Sequence, residues 1–358
     1  MKRLKEILKI FLIVLAILLF GFIGLILYAI ASDYKPDDKE LIGRPDNPAV
    51  LKDSLTLNLL TWNIGYAGLD KNMDFFKDGG TKVITPEDKY LENISGIDDF
   101  LVKNDTVDFI LLQEIDRDSK RSYRIDQYQR LSENLSGHNP FFATNYDVFF
   151  VPAPPTKPMG KVVSGIATFS KHTPVSSTRY SLPGDFGFPT QLFYLDRCFM
   201  VSRYRIENGK ELVLINTHNE AFDEGGSIRE AQMELLREFA LNEYSSGNYL
   251  IFGGDWNQYP PGFRPSFSGN KAFTGQVGNF NLVGIEPDYM PVEWKWIYDP
   301  TVPSVRTLMA AYDFATTPTS VCDFFLISPN IESVSVKCIH LDFACSDHNP
   351  VIIKVKLR

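Results

Sequence analysis

The chain has 358 residues, of which 44% are hydrophobic and 22% are charged, and this composition is typical of a folded protein and not of a disordered one. Its length accommodates one large domain or two ordinary ones. The net charge is −8, and because the first 32 residues carry +3, the remainder carries −11. An acidic domain repels a polyanion, so long nucleic acid is the less favoured partner, although a local basic groove would still permit it.

The amino terminus contains an apolar run, residues 10–31, that reads IFLIVLAILLFGFIGLILYAIA. These 22 residues carry no charge, and a helix of that length spans the ~30 Å hydrocarbon core of a membrane. The flank before the run is basic and the flank after it is acidic. The positive-inside rule then keeps the amino terminus in the cytoplasm. Residues 1–32 therefore predict a single-pass signal-anchor, with the rest of the chain outside the cytoplasm.

Two other interpretations of this run compete. Ala29-Ile30-Ala31 has the small-x-small form of a signal-peptidase site, so the segment could be cleaved and the protein secreted. The run is longer than an ordinary signal-peptide core, which favours retention. A buried core helix fits less well, because the run is apolar on every face.

Residues 33–55 are rich in Pro and Asp and predict a tether, and residues 56–358 predict the folded domain. In that domain, short runs rich in Ile, Val, Leu and Phe are bounded by turn residues and predict strands. They are Leu55–Trp62, Phe109–Gln113, Gly165–Ser170, Met200–Ile206, Glu211–Thr217, Tyr249–Gly253, Cys322–Ile327 and Val351–Val355.

Helical periodicity is clearest over Ser227–Glu243, which Ser227 could cap with Glu230 three residues later. A second helix is predicted over Lys89–Lys103. Strands outnumber helices, and the helices fall between groups of strands. This order favours an α/β fold in which two packed sheets are flanked by helices.

Polar residues cluster where the predicted strands end. Taken singly, an Asp or Asn after a strand is usually a turn residue or a helix cap, and a lone His is usually satisfied in a core. Taken together, clusters of oxygen and imidazole donors without thiolates predict a hard-cation site at one edge of a sheet, and Mg²⁺ prefers such ligands. The clusters are Asn63, Glu114, Asn216 to Asn219, Asp255 to Asn257, and Ser346 to Asn349.

Seven segments resemble the motifs of the endonuclease/exonuclease/phosphatase family, which includes deoxyribonuclease I, neutral sphingomyelinases and inositol polyphosphate 5-phosphatases. They occur in the family's order and cover residues 56–358. The resemblance implies a four-layer α/β sandwich of two mixed sheets. The segments are TWNIG (61–65), LLQEID (111–116), SGIATFS (164–170), INTH (215–218), GGDWN (253–257), CDFFLIS (322–328) and SDHNPV (346–351).

The resemblance also implies a role for each matching residue. Glu114 corresponds to the family's metal-binding glutamate and Asp347 to a second acid on the metal side. Asp255 is similar to the acid that orients the attacking water. His348 resembles the catalytic histidine, and Asp323 its carboxylate partner. The remaining matches are His218 as a second catalytic histidine, and Asn63, Asn257 and Asn216 as ligands of the substrate phosphate.

These residues predict a Mg²⁺-dependent phosphoesterase, in which Mn²⁺ can substitute for Mg²⁺, acting on a small or lipid-linked phosphodiester. A secreted or membrane-anchored endonuclease of the deoxyribonuclease type is the alternative. A third hypothesis is a binding protein whose active site has lost catalytic residues, although all the motif residues are present. His218 argues against the apurinic endonuclease branch. Phe324 stands where the 5-phosphatase branch has an arginine, which argues against an inositol phosphate substrate.

The other chemistry-bearing residues give weaker expectations. Arg197 and Arg203 lie just before and within a predicted strand. Either could reach a phosphate, but surface ion pairing is the better interpretation of both. Of the four cysteines none have CxxC spacing, so a zinc or thioredoxin-type site is not predicted. Cys338 and Cys345 are candidates for a disulfide if the domain lies in an oxidising compartment.

Overall fold

The computed structural model describes residues 2–184, 186–223, 225–267, 271–278 and 280–358. Within these ranges the α-helices are α1 (Lys2–Ser32), α2 (Glu87–Lys103), α3 (Gln127–Asn134) and α4 (Ser227–Ser245). The strands are β1 (Lys39–Gly43), β2 (Val50–Leu51), β3 (Thr56–Asn63), β4 (Phe109–Asp116), β5 (Asn139–Val151), β6 (Gly160–Ser170), β7 (Ser176–Ser181), β8 (Cys198–Ile206), β9 (Glu211–His218), β10 (Tyr249–Asp255), β11 (Gln258–Tyr259), β12 (Lys271–Ala272), β13 (Gly275–Val277), β14 (Phe280–Gly284), β15 (Lys295–Ile297), β16 (Val305–Arg306), β17 (Pro318–Ser320), β18 (Asp323–Ile327), β19 (Ile331–Cys338) and β20 (Val351–Leu357).

Two large mixed sheets form the centre of the domain. One has the order β19-β20-β3-β4-β6-β5, and the other β1-β7-β8-β9-β10-β18-β15, with β2 beside β8. Strands β3 and β4 are parallel, as are β9 and β10. The long connections that such parallel pairs need contain α2 and α4.

Side chains from both sheets meet in one apolar core, and helices cover the outer faces. Leu59 and Leu111 from the first sheet pack with Leu214 and Ile251 from the second. Alternate residues of the same strands point outwards: the first sheet packs against α2 and α3, and the second against α4. The resulting order of helix, sheet, sheet and helix is the predicted four-layer sandwich.

Strands β5 and β19 lie at the two edges of the first sheet and were not predicted from the sequence. Buried and less buried residues largely alternate along β5, whereas β19 is buried only at its two end residues, because an edge strand packs less completely against the core. The central strands are buried on both faces, and their continuous apolar runs identified them.

Part of the predicted tether belongs to the folded domain. Strand β1 pairs antiparallel with β7, with Lys39 opposite Tyr180, and β2 pairs parallel with β8. Residues 39–51 therefore contribute the outer strands of the second sheet. The span 33–55 is not a free linker, and the unpaired connection after α1 is short.

The first helix, α1, is long and apolar enough to cross a membrane by length and composition, a test that a signal sequence also passes. Its last turn contacts the domain. The ring of Tyr28 packs edge-on against Phe149 of β5, with 4.6 Å between the ring centroids. Ala29 is buried in the same contact region, being 1% exposed.

Two local predictions were wrong. Helix α4 is capped by Asp223, whose carboxylate accepts from the backbone N–H groups of Ile228 and Arg229 at 2.7 and 3.0 Å, and not by Ser227. Cys338 and Cys345 are free thiols. Cys338 packs in the core between the sheets, whereas Cys345 packs beside α2 on an outer face, so the two side chains occupy different layers.

Candidate active site

The polar strand ends lie at one edge of the sandwich, termed here the catalytic edge. Strands β3, β4, β9 and β10 all terminate there, with the first pair in one sheet and the second pair in the other. The register sets Asp255 opposite both His218 of β9 and Asp323 of β18. Asn63 lies beside Gln113, one residue from Glu114. Strand pairing therefore assembles side chains that are far apart in sequence.

His348 and Asp323 are in direct contact at this edge. The imidazole Nδ1 lies 2.8 Å from Asp323 Oδ2, and the Ser304 hydroxyl donates to the same oxygen at 2.7 Å. The other ring nitrogen, Nε2, lies 3.7 Å from Asp255 Oδ2 and 3.9 Å from Asp347 Oδ2. One nitrogen is thus held by a carboxylate, and the other lines the cavity.

The surrounding carboxylates favour a positively charged His348. Burial alone lowers the pKa of this imidazole, but the charges of Asp323, Asp347 and Asp255 raise it well above its usual value. Burial raises the pKa of Asp323. The proton of the pair therefore lies on His348, because three carboxylates face its ring.

Asn63 joins the two halves of the site. Its Nδ2 donates to Glu114 Oε1 at 3.1 Å and to Asp255 Oδ2 at 2.9 Å, while its Oδ1 accepts from the Gly65 N–H at 3.0 Å. The hydroxyl of Ser346 donates to the Asn63 carbonyl at 2.8 Å. Asn63 therefore positions the two carboxylates, and its predicted contact with a substrate phosphate is not supported by this arrangement, because its amide is already bonded to both of them.

Glu114 and Asn257 adopt left-handed backbone conformations, with φ of +55° and +50°. Such values are uncommon for residues other than glycine and concentrate at functional sites. At Glu114 the register between β4 and β6 shifts, as in a β-bulge, which redirects the side chain at the strand end. Asn257 turns back so that its N–H donates to Asp255 Oδ1 at 2.9 Å, and its Nδ2 donates to the Asn219 carbonyl at 2.9 Å.

The acids on the Glu114 side of the cavity are crowded. Burial, together with the charges of Glu114 and Asp78, raises the pKa of Asp347 to about 7, although His348 and Arg306 act in the opposite direction. Buried carboxylates that destabilise one another in this way match a divalent cation. Glu114 and Asp347 supply the oxygen ligands that Mg²⁺ prefers.

A second group of potential ligand atoms comes from Asp255, Cys322, Asp323 and His348, and these atoms all lie within 4.8 Å of one another. Burial and the adjacent carboxylates raise the pKa of the Cys322 thiol well above its usual value, so a thiolate ligand is disfavoured. The Nδ1 atom of His348 is already bonded to Asp323. The oxygen donors on the Glu114 side are therefore better suited to a hard cation than this second group.

His218 stays neutral in the site. Burial and the charge of Arg197 lower its pKa to about 4, against the opposing effect of Asp255. Its Nε2 lies 3.6 Å from Asp255 Oδ2. Its Nδ1 has no hydrogen-bond partner within the described ranges, although it is buried. A neutral imidazole can present one N–H donor to a substrate oxygen.

Asn216 does not face the cavity. Its Nδ2 donates to the backbone carbonyls of Leu112 and Ala167 at 3.2 and 2.9 Å, and its Oδ1 accepts from Gln113 at 2.7 Å. The side chain thus bridges the two sheets and has no donor left for a phosphate. Strand alternation explains this position, because Asn216 lies on the same face of β9 as Leu214, which packs between the sheets.

The cavity at the catalytic edge has a volume of about 120 Å³, room for a few water-sized groups such as those of a phosphate. Glu114, Asp255, Asn257 and His348 line it together with His218 and Asp347. Basic and aromatic side chains outside the family motifs also line it. They include Tyr66, Lys77, Arg121, Arg197 and Arg306, of which the sequence analysis considered only Arg197.

For Arg197 the favoured interpretation, a surface ion pair, was wrong, because the side chain is buried and lines the cavity. Its side chain is 5% exposed and pairs through Nε with Glu220 Oε2 at 3.2 Å. Its Nη1 has no hydrogen-bond partner among the residues that the structure describes. Burial and the charges of Arg121 and Arg197 lower the pKa of nearby Lys77 to about 8. These cations oppose the acidic half of the cavity and suit an anionic substrate.

Comparison with known proteins places this site in a family. The model of the Endonuclease/Exonuclease/phosphatase family matches residues 60–348. Among solved structures, an endonuclease/exonuclease/phosphatase from Beutenbergia cavernae is similar at a TM-score of 0.53 and 15% identity, over 84% of this chain and 72% of that one. ANGEL2, a 2',3'-cyclic phosphatase, is similar at a TM-score of 0.54 and 15% identity, over 90% of this chain and 99% of that one. The human Nocturnin catalytic domain is similar at a TM-score of 0.52 and 16% identity, over 88% of this chain and 100% of that one.

No curated protein matches the sequence. At these identities the solved structures show a shared fold, and the family model adds the agreement of the motifs over most of the chain. The chain belongs to the endonuclease/exonuclease/phosphatase family of metal-dependent phosphoesterases.

Proposed function

We propose that this protein is a Mg²⁺-dependent hydrolase of a phosphodiester, with a small or lipid-linked substrate. The observation that carries the proposal is the buried His348–Asp323 pair, 2.8 Å apart, opening onto the same cavity as Glu114 and Asp255. Hydrolysis at phosphorus needs an oriented water, stabilisation of the phosphoryl oxygens and a proton for the leaving group. The cavity supplies a group for each.

Each side chain has a role that its surroundings support. Asp255 accepts a hydrogen bond from the attacking water and takes its proton, because its carboxylate is ionised: burial raises its pKa, but His348 and His218 lower it below the usual value. Positively charged His348 donates to a phosphoryl or leaving oxygen. Neutral His218 donates to a non-bridging oxygen, and Asn257 holds Asp255 in place.

Glu114 and Asp347 would hold the Mg²⁺ ion, which supplies charge neutralisation at the phosphoryl oxygens when bound. Asn63 maintains the spacing of Glu114 and Asp255 through its two hydrogen bonds. The same amide fixes both carboxylates, so its loss would disturb both the cation side and the water side of the cavity.

The substrate preference follows from the charge and the shape of the site. The domain carries −11, which disfavours long nucleic acid. The cavity is small, and its wall includes the apolar side chains of Leu69, Phe75 and Leu308. A phosphodiester with an apolar or compact substituent fits these features better than a duplex.

The proposal is tested with the full-length chain in mild detergent, assayed with and without Mg²⁺ against bis-p-nitrophenyl phosphate, sphingomyelin, a glycerophospholipid, phosphoinositides and plasmid DNA. We expect Mg²⁺-dependent hydrolysis of the first compound and of a lipid, abolished by EDTA. Preferential cleavage of plasmid DNA would favour the endonuclease alternative. Absence of hydrolysis of every compound with Mg²⁺ or Mn²⁺ would leave a binding protein on the same fold.

A further inference from the structure

The end of α1 is fastened to the same part of the domain that carries the active site. Tyr28 packs on Phe149 of β5, and α1 also contacts the 3₁₀ helix Thr190–Phe193. Residues 3–24 of α1 are exposed, whereas Leu25 and Ile26 are half-buried and Ala29 is buried, so these contacts lie in the last two turns of the helix, where the apolar run ends. The location of β5 and of this 3₁₀ helix within the domain therefore determines which side of the domain faces a membrane that α1 crosses.

Strand directions place both partners at the catalytic edge. Strands β4 and β5 are each antiparallel to β6, so β5 ends with Phe149 at the edge where β4 carries Glu114. Strands β7 and β9 are each antiparallel to β8. The connection from β7 to β8, which contains Thr190–Phe193, therefore lies at the edge where β9 ends in His218.

The docking surface and the cavity share a wall. Tyr146 lines the cavity and lies three residues before Phe149, or roughly 10 Å along an extended strand. Its hydroxyl donates to the Phe193 carbonyl at 3.0 Å. On the other side, Tyr194 donates to Glu220, the carboxylate that pairs with cavity-lining Arg197.

The length of the apolar run fixes where the bilayer would end. Its 22 residues span about 33 Å as a helix, close to the ~30 Å hydrocarbon thickness. The boundary then falls in the last turn of α1, beside Tyr28, an aromatic residue of the kind enriched at membrane interfaces. Phe188, in the segment just before Thr190–Phe193, is 64% exposed at this edge. An exposed aromatic next to an interfacial helix end is suited to contact with lipid.

We propose, building on the function proposed above, that the catalytic edge faces the bilayer in which α1 is anchored and that the substrate is a phospholipid of that same membrane. The headgroup phosphodiester enters the cavity at the level of the interface. The acyl chains remain in the leaflet, so the lipid is not extracted completely. The helix thus acts as an orienting element as well as an anchor.

The orientation can be measured without activity. Full-length Phe188→Trp and Val292→Trp variants are reconstituted in phosphatidylcholine vesicles with and without brominated acyl chains, and their emission is compared with that of the wild type. Val292 is the matched control, since it is 92% exposed and precedes β15, whose first residue pairs with the non-catalytic end of β18. We expect the emission added at position 188 to fall at least about twofold, because interfacial groups lie within ~10 Å of the acyl boundary, and the emission added at position 292 to be unchanged. Equal quenching at both positions, or at neither, overturns the orientation.

The substrate class is tested by activity in vesicles. Full-length protein is reconstituted with a headgroup-labelled phosphatidylethanolamine either in its own vesicles or in separate ones, and bis-p-nitrophenyl phosphate is assayed in parallel. We expect the probe in the same vesicles to be hydrolysed at least about tenfold faster, because anchoring raises its effective concentration at the site. Phe188→Asp should lower the rate on the lipid severalfold and leave the soluble compound unaffected, whereas Val292→Asp should change neither.

The outcomes separate the two proposals. If the soluble compound is not hydrolysed, the phosphodiesterase function itself fails. If it is hydrolysed while the lipid is untouched, or if lipid in the same and in separate vesicles is hydrolysed at equal rates, the function stands and membrane-facing catalysis is overturned. Both substituted side chains are exposed, so neither variant removes core packing.

Discussion

The two ends of the sandwich each contain a histidine–aspartate pair of nearly equal length. His348 Nδ1 lies 2.8 Å from Asp323 at the catalytic edge, and His172 Nε2 lies 2.9 Å from Asp108 at the opposite edge, where β4 begins. The first pair is almost fully buried, with side chains 7% and 0% exposed, whereas the second is 24% and 19% exposed. The contact distance therefore does not distinguish a catalytic pair from a structural one.

The surroundings do distinguish them. Asp108 also accepts from the Asn58 N–H at 2.8 Å, and although burial raises its pKa, the hydrogen bonds from His172 and Asn58 hold that pKa below the usual value. Asp323 Oδ1 is buried and has no hydrogen-bond partner in the described part of the chain. The ionised form of Asp108 is therefore stabilised by its surroundings, whereas the ionised form of Asp323 is destabilised by burial. Burial of incompletely satisfied charge marks a site built for reaction, and satisfied charge marks one built for stability.

The largest expected difference between the two edges is in activity. His348→Ala should lower phosphodiester hydrolysis about 1,000-fold, the typical loss for a general acid or base, while His172→Ala should leave the rate within a factor of two. His348→Ala should change the Tm little, since Asp323 keeps the Ser304 hydroxyl and its raised pKa lets it take up a proton. Rates and thermal unfolding of both variants check this. A comparable loss of activity in His172→Ala would remove the distinction.

Two arginines near the opposite ends of β8 sharpen the comparison. Arg197 lines the cavity, whereas Arg203 pairs with Glu211 and Glu243 near the other edge. Lysine keeps the charge and loses the forked geometry of the guanidinium. Arg197→Lys should lower kcat/KM about tenfold, and Arg203→Lys should lower the free energy of unfolding by ~1 kcal/mol with normal kinetics. Steady-state kinetics and urea unfolding of the two variants measure this, and the reverse pattern would contradict it.

The smallest expected effect is a pH dependence of stability at Asp108. Because its pKa is lower in the folded protein than in the unfolded one, the stabilisation is complete above the unfolded value of about 3.9 and is lost as the pH falls through the folded value. Asp108→Asn should therefore cost about 1 kcal/mol at pH 6 and nothing at a pH below the folded value. Urea unfolding of both proteins at several pH values tests this. A cost that does not vary with pH would assign the loss to packing.

The sequence sufficed for the elements whose signal is local. Continuous apolar runs identify the central strands, and the polar residues that follow them mark the catalytic edge, because strands buried on both faces end in polar groups only where the chain leaves the core. The bounds were short by a few residues: β9 continues to His218 and β10 to Asp255, so the functional side chains belong to the strands themselves.

Other features depend on contacts that no local pattern records. Arg197 and Lys77 reach the cavity because two long connections fold over the same edge, and exposed Arg or Lys is the ordinary expectation. The docking of Tyr28 on Phe149 depends on the direction of an edge strand that was not predicted. Asn216 is different, since strict alternation along β9 already pointed it between the sheets, and the motif resemblance outweighed that signal.

The most direct test of the account uses two carboxylates near the two ends of one strand: Asp108, which directly precedes β4, and Glu114, which lies near the end of β4. Full-length wild type, Glu114→Gln and Asp108→Asn are titrated with Mg²⁺ while hydrolysis of bis-p-nitrophenyl phosphate and the Tm are followed. We predict that Glu114→Gln loses activity at least about 100-fold and loses the Mg²⁺-induced rise in Tm, because a carboxylate ligand is gone. Asp108→Asn should keep the Mg²⁺ response and full activity with a lower Tm. Normal Mg²⁺-dependent activity in Glu114→Gln would contradict the assignment of the catalytic edge.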